Sequence, residues 1–129
     1  MASKNNYFVQ RYGKLIHIYD PIFRANFWYQ TVKDFSKATA LLKKQGFNYE
    51  FKINNNGGFT VYETQGCEVC VMWTKGKDSD IVHECSHATH FVLSKAGIKL
   101  NEETDEIYSY YVAFLFKTIK GVKTNGTGK

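Results

Sequence analysis

The chain has 129 residues, of which 43% are hydrophobic and 16% aromatic. That composition suffices for one modest core and excludes a disordered chain. The formal charge is +5, but Lys and Arg are dispersed rather than clustered, so nucleic-acid binding is not expected, and no apolar run is long enough to span a bilayer.

The first residues, MASKNNYFVQRYGK, are polar and hold no secretory apolar stretch, so a cytoplasmic location is expected. The three cysteines, Cys67, Cys70 and Cys85, fit reduced thiols in that compartment.

Residues 1–12 read as a loose or partly packed lead-in. Residues 14–19 (KLIHIY) alternate as a strand does, and Asp20-Pro21 stops them. Residues 23–32 (FRANFWYQTV) are aromatic and β-prone, which predicts a second strand. Asp34 or Ser36 can cap a helix that runs to Gln45 and stops at Gly46. NNNGG at 54–58 is a loop. Residues 59–63 (FTVYE) and 68–74 (EVCVMWT) predict two more strands. A polar loop at 76–80 offers Asp78, Ser79 and Asp80 as N-caps for a helix to Ala96, which Gly97 ends. After a connector at 99–103, a last helix is expected from Glu103 to Lys120, with 121–129 as a flexible tail. The order predicts a single α+β domain over 1–129, with about four strands in one mixed sheet packed with three helices.

The second predicted helix carries His83-Glu84-Cys85-Ser86-His87, an H-E-x-x-H pattern. Residues i and i+4 lie about 40° apart around a helix, one turn apart, so both imidazoles can reach one ion. Glu84 lies about 100° from His83, beside the metal edge without joining it. That placement suits a carboxylate acting on a metal-activated water, and two neutral imidazoles suit Zn2+. Val82, Cys85, Thr89, Val92 and Ala96 form a stripe opposite the histidines that can face a sheet.

With this motif the chain resembles the zincin metallopeptidases, and within them the gluzincins, in which a glutamate on the next helix supplies the third ligand. A common gluzincin spacing leaves eighteen residues between the second histidine and that glutamate, and His87 and Glu106 are separated by that number. The resemblance implies Zn2+ held by His83, His87 and Glu106, with Glu84 as general base. Glu103, three residues before Glu106, is the competing ligand. Zincins also place a substrate-pairing edge strand just before the motif helix, a role that falls to residues 69–74. The segments YDPIFRANFWY, GGFTVY, HECSH and DEIYSYY are similar to small phage-encoded zincin-like proteins.

Two departures stand out. The position where thermolysin-like enzymes carry a supporting aspartate is Tyr110, which becomes a candidate donor to the developing oxyanion; Tyr108 and Tyr111 are weaker ones with core packing as their first role. The metzincin pattern fails because His90 stands where its glycine belongs and the third histidine is missing. His90 reads as cleft lining or an ordinary helix residue, and His17 as a strand residue. Cys67-x-x-Cys70 lacks a second cysteine pair for a structural zinc. The expectation is a zinc-dependent hydrolase of peptide or other amide bonds, acting on a protein or peptide substrate. The alternatives are a non-catalytic zinc-stabilised binding protein, and a nucleic-acid-associated SprT-like protease whose third histidine and four-cysteine ribbon are absent.

Overall fold

A computed structural model of the chain describes residues 8–12, 15–33, 44, 57–63 and 68–128. Five strands form one mixed sheet: β1 (Phe8–Tyr12), β2 (Leu15–Asp20), β3 (Ala25–Thr31), β4 (Gly58–Glu63) and β5 (Glu68–Thr74). Their order across the sheet is β1-β2-β3-β5-β4. All neighbours are antiparallel except β3 and β5, which run parallel. Two helices follow, α1 (Asp78–Lys95) and α2 (Asp105–Gly128). The architecture is α+β, with one strand more than the sequence pattern predicts and two helices among the described residues. The helix expected from Asp34 or Ser36 to Gln45 lies outside those residues, apart from Lys44, which is helical.

Alternation decides which face each strand buries. In β2 and β3 every second residue is buried, so Ile16, Ile18, Ala25, Phe27 and Tyr29 face the helices. Cys70 and Met72 of β5 join them, together with Ile81, Cys85, Ala88, Val92 and Leu93 of α1 and Tyr108, Tyr111, Leu115 and Ile119 of α2. Val61, Val69, Val71 and Trp73 are buried as well but belong outside this cluster, on the opposite side of β4 and β5.

Three expectations change. Residues 8–12 are not lead-in but an edge strand, with Val9 opposite Ile18 and Arg11 opposite Ile16. The strand at 68–74 is internal, hydrogen-bonded to β3 on one side and β4 on the other, so among the described strands β4 is the outermost on the α1 side. Finally, α2 starts at Asp105, and it continues to Gly128 rather than ending at Lys120.

The turn between β2 and β3 is held by Asp20, whose Oδ1 accepts the Ile22 N–H at 2.9 Å, and Arg24 takes a left-handed φ of 54° to complete it. The other oxygen of Asp20 accepts the Tyr111 hydroxyl at 2.5 Å, which ties α2 to the hairpin. The N-cap of α1 is Lys77, so Asp78 and Asp80 occupy its first turn and complement the helix dipole instead of capping it. At its C-terminus, Gly97 has a φ of 85°. Its N–H donates to Ser94 O at 3.0 Å, and Ile98 N–H donates to Leu93 O at 2.9 Å, the paired bonds of a Schellman stop.

Candidate functional site

The buried side of α1 is Ile81, Glu84, Cys85, Ala88, Thr89, Val92 and Leu93. The expected stripe holds at Cys85, Thr89 and Val92, but Val82 and Ala96 are exposed, because the packed face is turned toward Ile81 and Ala88. His83 and His87 each stand two residues from Cys85, about 160° around the axis from it, so both point away from the core. They are exposed, and their rings meet edge to face with centroids 4.7 Å apart. Their Nε2 atoms lie 3.1 Å apart. Two imidazole nitrogens bound to one tetrahedral zinc at ordinary bond lengths would sit about 3.3 Å apart, so the pair converges as a two-nitrogen donor set should.

Glu84 behaves differently from its neighbours. It is only 3% exposed, tucked between α1 and the edge strand. The Thr60 hydroxyl of β4 donates to Glu84 Oε1 at 2.6 Å. Glu84 and His83 together line a cavity of about 320 Å³, with Ser79 and Asp80 one turn earlier on α1 and Gly57 and Gly58 at the start of β4. The two glycines let the strand approach the helix closely. A Cβ at Gly58 would stand 2.6 Å from Trp73 O and 3.0 Å from Glu84 Cγ, and one at Gly57 would run into the Asp80 carboxylate. A single cavity wall thus carries one histidine, the buried carboxylate and Asp80.

Behind the site lies Cys85, fully buried. Burial, with the charge of Glu84 adding, pushes its thiol up to about 12, so it is neither a nucleophile nor a metal thiolate near neutral pH. Cys70 is buried in the core, and Cys67 lies outside the described residues.

Glu106 does not join the histidines. Tyr108, Tyr111, Leu115 and Ile119 form the inner face of α2, and Glu106, two residues before Tyr108, lies about 200° from it. It is exposed on the outer face. Its height is wrong as well. The His90 ring lies 4.9 Å from Tyr108, and Lys120 pairs with Asp78 at 2.8 Å, so α1 and α2 run antiparallel in one register. That register sets Glu106 level with Val92, about 7–8 Å beyond His87 along the helix. Glu103 lies in the turn before α2, exposed, with its N–H donated to Asn101 Oδ1 at 2.8 Å. Among the described residues, no third His, Cys, Asp or Glu completes a three-ligand group with the histidine pair.

Tyr110 shares the outer face with Glu106 and is 71% exposed, so it points away from the cavity it was expected to serve. Tyr111 instead binds Asp20, and Tyr108 donates to Ile98 O at 2.5 Å, so both are structural. His17 pairs with Asn26 Oδ1 at 2.8 Å and stacks on Trp28 at 4.0 Å, as a packed strand residue would. The sequence pattern gives Thr60 no role at the site, and reads Gly57 and Gly58 only as loop and Asp80 only as an N-cap candidate. The usable signal was Gly-Gly running directly into FTVYE, which places a residue without a side chain and a hydroxyl on one strand face.

No protein-family profile, characterised protein or solved structure matches the chain. No helix among the described residues is long and apolar enough to cross a membrane.

Proposed function

We propose that the chain is a zinc-dependent hydrolase of peptide or other amide bonds, with His83 and His87 as metal ligands and Glu84 as general base. The observation that carries this reading is the 3.1 Å approach of two imidazole Nε2 atoms beside a cavity that a buried carboxylate also lines. Zinc, when bound, supplies Lewis-acid activation of water. His83 and His87, whose Nε2 atoms converge, would hold it. With Thr60 donating to its Oε1, the Glu84 carboxylate would take a proton from the attacking water and return it to the leaving amine. The cavity between β4 and α1 receives the scissile group, and an extended substrate pairs with β4 rather than β5, since β5 is paired on both sides and β4 is the outermost of the described strands. Glu106 is the third ligand implied by the zincin resemblance, and α2 would have to both turn and slide by about 7–8 Å to bring it to the histidines.

The outward placement of Tyr110, which takes the expected oxyanion donor away from the cavity, favours a second reading, a zinc-stabilised binding protein that does no chemistry. Glu84→Gln separates the two, because it spares the histidines. On the hydrolase reading, the zinc-loaded variant keeps its metal and loses about 10²–10⁴-fold in kcat on labelled casein. Undiminished biological activity in that variant assigns the protein to binding.

A further inference from the structure

We infer that β4, and not α1 alone, fixes the general base, with Thr60 as its positioning residue; this rests on the hydrolase reading above. A glutamate on a helix has three side-chain torsions, and its backbone position does not settle where the carboxylate lies. Two residues of β4 settle it here. Gly58 and Thr60 are two apart, so they share the strand face turned to α1. Gly58 has no side chain, and Glu84 Cγ packs against it, 3.0 Å from where a Cβ would stand, with Trp73 O and Thr74 Cγ2 nearer still at 2.6 and 2.9 Å. Thr60 then donates its hydroxyl to Oε1 at 2.6 Å, a charge-assisted bond inside a site that leaves Glu84 only 3% exposed.

The same hydroxyl lies 3.4 Å from Glu84 O, so it sits against both ends of the residue. Gly58 fixes the stem and Thr60 the head. The residue so held lines the cavity together with His83. Because β4 is the outermost described strand on this side, the contact also joins the strand on which an extended substrate would lie to the group that handles the proton. Thr60 touches neither metal nor substrate in this scheme; it acts through Glu84.

The test uses the full chain with Thr60→Val, which keeps shape and strand preference but removes the donor, and Thr60→Ser, which restores it. The zinc-loaded Thr60→Val variant is expected to lose at least about tenfold in kcat on labelled casein, with KM and zinc content unchanged, and Thr60→Ser to return within about threefold of the parent. A second readout needs neither metal nor activity. In urea unfolding of the metal-free protein, Thr60→Val should lower the folding equilibrium constant by about fivefold or more, and this loss should disappear when Glu84 is already Ala. Coupling in the unfolding cycle together with the kcat loss supports the proposal. Additive effects, or a Thr60→Val enzyme with unchanged kcat, overturn it. If the parent protein hydrolyses nothing, the hydrolase reading fails by itself, and the unfolding cycle still decides whether Thr60 holds Glu84.

Discussion

Replacing Tyr111 by Phe tests the contact that sets the rotation of α2. The Tyr111 hydroxyl donates to Asp20 Oδ2 at 2.5 Å, and the two residues are 8% and 1% exposed. The ring also packs against Phe23, Phe27 and Phe114, with centroids 5.8, 6.1 and 5.6 Å away. Phe keeps those ring contacts and removes only the hydroxyl. Asp20 is then left buried with the Ile22 N–H as its remaining donor. Losing a hydrogen bond to a buried charged group costs about 1.5–3 kcal/mol. For a chain of this length, that is a fall in Tm of roughly 5–11 °C. Thermal and urea unfolding would measure it, with Asp20→Asn and the double variant closing a cycle. Tyr111→Phe and Asp20→Asn should be strongly non-additive. A Tm change below about 1 °C, or additive effects, would show that Tyr111 does not face Asp20. The rotation of α2 would then differ, and with it the outward placement of Glu106 and Tyr110.

Glu106→Ala should keep zinc affinity within about threefold of the parent, whereas His87→Ala should lose it by at least about a hundredfold; an equal loss would mean that α2 turns to bring Glu106 to the metal. Gly58→Ala should cost about 1–3 kcal/mol in urea unfolding, because its Cβ meets the backbone oxygen of Trp73 at 2.6 Å. Gly57→Ala should cost less, since the Asp80 side chain it meets can rotate away; equal losses would contradict that geometry. Cys85 has a thiol raised from 9.0 to about 12 by burial and by the charge of Glu84. The folded state therefore holds its proton more tightly than the unfolded chain, so this contribution is complete below about pH 9 and is lost as pH rises toward 12. Tyr29, raised mainly by burial, adds to the same alkaline decline. Cys85→Ala should flatten the slope of stability between pH 9 and 11, and an unchanged slope would contradict the burial of the thiol.

The parts of the fold written in local pattern were legible in the sequence. The apolar run EVCVMWT gives β5 with the bounds it has in the structure, and the alternation of KLIHIY gives β2 to within a residue. Gly97 marks the stop of α1 because only a left-handed residue completes that turn without strain. Strand β1 escaped notice because Phe8 and Val9 are adjacent, so its apolar residues do not alternate, and its pairing is to one neighbour only. Sheet order is not a local property either. The parallel pairing of β5 with β3 makes β4 the outermost described strand on that side, in place of the strand nearest the motif helix in sequence.

The site divides along the same line. The i and i+4 spacing of His83 and His87 fixes their convergence within one helix, and the structure brings their Nε2 atoms together. The eighteen-residue spacing to Glu106 counts residues along the chain but carries no information on how α2 is rotated. That rotation follows from the inner stripe of Tyr108, Tyr111, Leu115 and Ile119 and from a hydroxyl bond to a carboxylate 91 residues earlier. Glu84 was readable as a carboxylate beside the metal edge, whereas its burial against Thr60 depends on β4 lying next to α1.

The central claim is that His83 and His87 hold one catalytic zinc. Metal analysis of the purified full chain after metal-replete preparation tests it most directly. The account predicts one zinc per chain in the parent protein and in Glu84→Gln, and none in the His83→Ala, His87→Ala double variant. Parent protein carrying no transition metal, or a double variant that keeps its zinc, would contradict it.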